Sequence, residues 1–203
     1  MRCEAHYPGD FKDALQRPLK AEELDELLKK PSPLPIFVYG HLILPTVLKY
    51  CADIPQTTKV DMVLATLPGY KLYQFSEDSD SGPPTIKPCP SAVVEGMLVF
   101  GLTNKQRAGL YDVEGVLAKT AKYIDIQVQV SQIDMVRHFD VRSQKSVDAG
   151  AFEWGPFRPD RPDRPEYGLE PMGTSFWPID EFIAGQLYET IVRYQNRLQV
   201  PES

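Results

Sequence analysis

The period of the apolar positions changes several times along the chain, and each change marks an element. Leu24, Leu27 and Leu28 recur at helical spacing among Glu22, Glu23, Asp25, Glu26, Lys29 and Lys30, so residues 20–30 predict a short charged helix. Pro31, Pro33 and Pro35 end it, because proline removes a backbone donor and biases its predecessor toward extended geometry. Ile36-Phe37-Val38-Tyr39 is then a continuous apolar, β-branched and aromatic run, which predicts a buried strand ending at Gly40. Pro45 suits the first turn of a helix that carries Val47, Leu48 and Cys51 on one face.

Strand patterns dominate the middle of the chain. Residues 60–65 and 70–75 flank Leu67-Pro68-Gly69, whose Pro-Gly pair predicts a turn, and residues 76–84 read as a polar loop. Residues 93–102 are apolar apart from Glu95, with Gly96 and Gly101 as candidate bulges. Thr103 and Gln106 have capping-box spacing, so a helix is expected from there to Gly115. Ile124, Ile126, Val128 and Val130 alternate with Asp125, Gln127 and Gln129 as in a half-buried strand, and its partner is expected over residues 135–141. In residues 155–171, Pro156, Pro159, Pro162, Pro165 and Pro171 predict an extended arm. After Pro178, the positions Ile179, Phe182, Ile183, Leu187, Ile191, Tyr194 and Leu198 predict one terminal helix, with Asp180 and Glu181 suiting its start.

Many short antiparallel strands with few helices predict an α+β fold, a small mixed or antiparallel β-barrel with flanking helices. Residues 1–33 read as an N-terminal extension with a short helix, residues 34–154 as the barrel core, and residues 155–203 as the Pro-rich arm and a C-terminal helix packing on that core.

Composition narrows the function classes. At 203 residues, 42% hydrophobic and 25% charged, the chain has the length and make-up of one globular domain with appendages. Its 19 prolines argue against a continuous helical bundle. A formal charge of -6 without a basic run argues against a nucleic-acid surface. No apolar stretch approaches the ~18 residues that suggest a membrane span. The opening residues Met1 to His6 lack the apolar core of a secretory signal. Cys3, Cys51 and Cys89 suggest neither a disulfide framework nor a C-x-x-C site, which suits a reducing cytosol. The expectation is a cytosolic protein with neither nucleic acid nor a membrane as partner. Its oligomeric state is left open.

Generic chemical motifs are missing. The chain has no Gly-rich phosphate loop, no His-Glu-x-x-His and no Gly-x-Ser-x-Gly. His6, His41 and His138 are scattered and no Cys lies near a second ligand in sequence, so a metal site has little support; His138 reads as a surface or structural residue. The Arg-Pro-Asp triplets of the arm read as a semi-rigid surface segment, with a ligand for an aromatic groove as the alternative. Two features carry chemistry. Phe37-Val38-Tyr39-Gly40-His41-Leu42 is either an ordinary strand-to-helix turn or a set of backbone amides able to hold a carboxylate or an oxyanion. Leu110-Tyr111-Asp112-Val113-Glu114-Gly115 places Glu114 at a helix C-terminus, where the macrodipole disfavours a negative charge. Glu114 is either a solvated residue before a glycine cap or a general base whose basicity that position and burial increase.

Phe37-Val38-Tyr39-Gly40-His41-Leu42, followed by Pro45-x-Val47-Leu48, resembles the opening motif of the γ-glutamyl cyclotransferase-like superfamily, usually Tyr-Gly-Ser/Thr-Leu. The branch most resembled is that of plant avirulence-induced proteins and γ-glutamylamine cyclotransferases. Ala65-Thr66-Leu67-Pro68-Gly69-Tyr70-Lys71, Val94-Glu95-Gly96-Met97-Leu98 and the Glu114 segment agree in order and spacing, so the likeness covers residues 35–131. The resemblance implies a small β-barrel with flanking helices and a cavity in which Tyr39, Gly40, His41 and Leu42 bind a γ-glutamyl group. Glu114 would be the catalytic general acid/base. The substrate's α-amine would attack its own γ-carbonyl and release 5-oxoproline, from a γ-glutamyl amide or a glutathione-type conjugate, without a cofactor. Two departures stand out. His41 replaces a small hydroxyl residue. Relatives carry Tyr-x-Arg soon after the glutamate, whereas here seven residues separate Gly115 from Tyr123, and Asp125 stands in place of Arg. Tyr123 is therefore carried as a further substrate-binding candidate. Another ring-closure or acyl reaction in the same cavity, or a non-catalytic binding role, remains as the alternative.

Overall fold

The computed structural model describes residues 3–17, 19–29, 33–75, 84–116, 121–136, 139–154 and 169–197. Two helices come first, α1 (Gly9–Gln16) and α2 (Ala21–Lys29). The apolar run that follows forms β1 (Ile36–Val38), which is buried along its whole length. It hydrogen-bonds on one side to β3 (Thr85–Phe100), antiparallel, with Phe37 opposite Leu98. On the other side it pairs parallel with β5 (Phe139–Trp154), Phe37 lying opposite Ala151. A 3-10 turn (Gly40–Ile43) and α3 (Pro45–Cys51) lead to β2 (Asp61–Phe75), which pairs with β3 and, at Ala65 and Thr66, with β4 (Ala121–Val136). Because β4 and β5 form a long hairpin, the pairings return on themselves in the circuit β1-β3-β2-β4-β5. The result is a mixed closed sheet in an α+β fold. A short β6 (Leu169–Pro171) adds to β2.

The alternation within β1 divides the core. Phe37 and Tyr39 join Leu67, Leu98, Val128 and Ala149 in one cluster, closed by Leu19, Leu24 and Leu27. Ile36 and Val38 face a second cluster with Phe11 of α1, Leu48 of α3 and Ile191 of α6 (Gln186–Arg197). The N-terminal residues thus supply core side chains to both clusters. Beyond the β2 contact, the outer part of β4 meets the segment between α1 and α2: the Ile133 amide donates to the Leu19 carbonyl at 2.8 Å, and Lys20 bridges to Ile133. Gly96 of β3 lies tight against β1, where a Cβ would fall on the Val38 carbonyl oxygen. A Cβ there would lie 2.7 Å from the Phe37 ring, so only glycine lets the two strands close.

Three local expectations give way to tertiary structure. Pro68-Gly69 is not a turn. β2 runs straight through it with a shift of register between Pro68 and Tyr70, and Gly69 takes φ +78°. The partner of β4 starts at Phe139 and continues to Trp154, far beyond residue 141. The terminal helix is two helices, α5 (Asp180–Ala184) and α6, because Gly185 adopts an extended conformation between them. Capping and helix-start signals fare better: α4 (Asn104–Val113) begins with a complete capping box, and α3 begins at Pro45. His138 and residues 155–168 of the arm lie outside the described residues. Among the described residues no helix is long and apolar enough to cross a membrane.

Candidate active site

The site forms where β1 ends and α4 ends. After β1, Tyr39 remains extended and Gly40 turns at φ +64°, a conformation that a side chain resists. A Cβ at Gly40 would also lie 2.9 Å from the Pro84 ring, so Pro84 packs directly on the turn. Leu42, Ile43 and Leu44 are buried and fix the 3-10 turn from behind. The amides of Gly40 and His41 come before the first i→i+3 bond of that turn, so the turn itself does not use them.

The capping box sets the start of α4. Thr103 Oγ1 accepts from the Gln106 amide at 3.3 Å, and Gln106 Oε1 accepts from the Thr103 amide at 2.8 Å. The helix ends with Glu114 as its C-terminal cap residue and Gly115 at φ +72°. That exit turns Glu114 inward: it is only 6% exposed, and its Oε2 accepts from Trp154 Nε1 at 2.7 Å. Burial pushes its carboxyl up to about 7, against a smaller opposing effect of the indole hydrogen bond.

A cavity of about 10 Å³ lies between the two elements, lined by Phe37, Val38, Tyr39, His41, Leu42, Pro84, Glu114 and Phe152. It has room for about one water molecule. Four of the predicted residues, Tyr39, His41, Leu42 and Glu114, therefore line one cavity; Gly40 is not among its lining residues. The Tyr39 hydroxyl donates to the Phe152 carbonyl. Burial, and secondly the charge of Glu114, holds the phenol well above its usual range. The His41 ring, standing in place of a small hydroxyl, sits in an aromatic setting, with Trp177 at 6.4 Å and Phe182 at 5.9 Å between ring centres. Burial there lowers its pKa to about 4, so the ring is neutral near pH 7. Cys51 lies close enough to feel the Glu114 charge. Its thiol is pushed up to about 12, chiefly by burial, which leaves it protonated and unreactive.

Tyr123 is placed elsewhere. Its ring packs on Tyr111 and Phe152 at 5.3 and 5.7 Å, and it lines a neighbouring cavity with Arg107. Gly150 makes room for it, since a Cβ at that position would fall on the Tyr123 hydroxyl. Sequence reasoning missed Trp154, Pro84 and Phe152. Trp154 stands 40 positions from its partner Glu114, and nothing in the local pattern announces that hydrogen bond. Among the described residues no three His, Cys, Asp or Glu side chains are grouped to hold a metal ion.

A closed mixed sheet with one carboxyl buried beside a glycine turn defines a small α+β protein with a cavity at the end of its first strand. The chain belongs to the family described as gamma-glutamyl cyclotransferase, AIG2-like, which it matches over residues 36–169. Among solved structures it is similar to an Arabidopsis thaliana protein determined in solution, at 18% identity over 84% of this chain and 93% of that one, with a TM-score of 0.46. It is also similar to a gamma-glutamyl cyclotransferase at 16% identity, covering 82% and 86% of the two chains, TM-score 0.47. A further likeness is to an uncharacterized Homo sapiens protein at 16% identity, covering 83% and 82%, TM-score 0.46. No curated protein matches the chain.

Proposed function

We propose that the protein is a cofactor-independent enzyme of γ-glutamyl cyclotransferase type, with Glu114 as general acid and base. The observation that carries this reading is a carboxyl buried against the Tyr39–Leu42 turn, with its pKa raised to about 7. An α-amine with a pKa near 8 costs only about 1.4 kcal/mol to deprotonate at pH 7. A glutamate at its ordinary value would be too weak a base by about 5 kcal/mol, whereas one near 7 falls short by only about 1.4 kcal/mol.

The proton and bond changes balance within one substrate. Starting from the neutral α-amine, Glu114 takes a proton from the nitrogen as it attacks the γ-carbonyl carbon. The carbonyl oxygen gathers negative charge, which backbone amides of the residue 39–42 turn would stabilise. Glu114 then returns the proton to the leaving nitrogen as the C–N bond breaks, giving 5-oxoproline and a free amine. The Trp154 indole holds the carboxyl in one orientation through both transfers. Ring closure is already intramolecular, so the turn contributes by gripping one folded glutamyl conformer. A γ-glutamyl group is larger than the present volume, so binding requires the lining to give way.

The His41 ring in place of a small hydroxyl residue favours a second reading, a protein of this fold whose cavity binds without turnover. Release of 5-oxoproline from a panel of γ-glutamyl amides separates the two. The enzyme reading expects release by the wild type and a loss of at least about 100-fold in Glu114→Gln, the scale of general acid–base catalysis. Release that survives the substitution removes Glu114 from its role, and absence of release from every amide moves the assignment to the binding reading.

A further inference from the structure

Seven residues before Glu114, two turns back along α4, lies a charged group that the proposed reaction does not use. Arg107 is 4% exposed, and no carboxylate among the described residues pairs with it. Its Nε donates to the Leu102 carbonyl at 3.3 Å, and its Nη2 donates to the carbonyls of Pro33, at 3.1 Å, and Leu34. A guanidinium has five N–H donors, and these carbonyls take three of them. The neighbour on the remaining side is the Tyr123 hydroxyl, which interacts with both Arg107 and Tyr111. Carbonyl dipoles satisfy hydrogen bonds, but they do not neutralise a buried positive charge.

This uncompensated cation opens on a cavity of about 470 Å³, whose lining includes Arg107, Tyr111, Tyr123, Leu34 and Ala108. The wall is thus one fixed cation, two phenols and the Asn104 amide set in apolar surface. We propose that this cavity is a second ligand site, and that it takes a carboxylate carried on an apolar body. The carboxylate would accept from Arg107 and from the two tyrosine hydroxyls, while Leu34, Ala108 and the aromatic rings would cover the body. Phe152 packs on Tyr111 at 5.5 Å and on Tyr123 at 5.7 Å while also lining the Glu114 cavity, so one side chain forms the partition between the two sites. The proposal does not depend on turnover at Glu114.

The test is a titration of the full chain, labelled with ¹⁵N, with phenylacetate and separately with its neutral isostere phenylacetamide. The expected result is saturable shifts for backbone amides of Asn104 to Tyr111 and of Tyr123 with the acid, and affinity for the amide weaker by about tenfold or more. Arg107→Gln should abolish the response. If that variant fails to fold, Tyr111→Phe and Tyr123→Phe decide instead, because each keeps its ring and loses only a hydroxyl, and each should weaken the acid several-fold. Glu114→Gln should bind the acid as the wild type does, which keeps this proposal separate from the catalytic one. Equal binding of acid and amide, retention in folded Arg107→Gln or in both tyrosine variants, shifts confined to the Trp154 indole, or no saturation at all would overturn it.

Discussion

Glu114 and His41 share a cavity, and burial moves both toward their neutral forms, so they respond to pH in opposite directions. The Glu114 carboxyl is raised from 4.5 to about 7. Its folded form holds a proton that the unfolded form has released, so its contribution to stability is complete below 4.5 and gone above 7. The span is worth about 3 kcal/mol. The His41 ring is lowered from 6.5 to about 4, so its contribution is complete above 6.5 and is lost as pH falls through that window, by a similar amount. Within the wild type the two trends offset each other. Substitution should expose each in turn. Relative to wild type, Glu114→Gln should gain stability on going from pH 4.5 to pH 8, and His41→Ser should gain it on going from pH 7 to pH 4. Urea unfolding at matched pH values measures both differences, and variants that track the wild type across these windows would mean that neither group is buried in its neutral form.

At the scale of elements, α4 shows what a sequence can and cannot reveal. The capping box at Thr103 and the glycine exit at Gly115 are local signals, written in neighbouring residues, and together they place the helix and put Glu114 at its end. Thr103→Ala removes half of the reciprocal cap and should cost about 1 kcal/mol, seen as a lower urea midpoint with an unchanged slope. A slope that changes with the midpoint would point instead to a loosened native state. What α4 meets was not legible. The Trp154 hydrogen bond, the Pro84 contact with Gly40 and the partition by Phe152 all join segments far apart in sequence. The errors in the strands have the same origin. A Pro-Gly pair signals a turn in isolation, yet here β3 pairs with β2 on both sides of it and turns the signal into a bulge. Gly185 breaks the terminal helix despite apolar positions on both sides, because helical periodicity does not register a single extended residue.

For the whole molecule, sheet closure does not extend along the full β4–β5 hairpin, whose outer part lies beyond the contacts with β1 and β2. The outer half of β4, past its short contact with β2 at Thr66 and Ala65, is bonded on only one side by β5. The segment between α1 and α2 covers it through the Leu19 carbonyl and the Lys20 bridge, held in place by ion pairs of Lys145 with Asp25 and of Arg17 with Asp61. The expectation is a protective role for the N-terminal extension, independent of any chemistry at Glu114. An uncovered ladder is a template for strands of other chains, the usual origin of edge-to-edge association. Removal of residues 1–33 should therefore make the protein self-associate as concentration rises, with added β-structure in the infrared amide band. A truncated chain that stays monomeric by light scattering at high concentration would show that β4 needs no guard. If the association occurs, those first residues keep a closed sheet from becoming the seed of an open one.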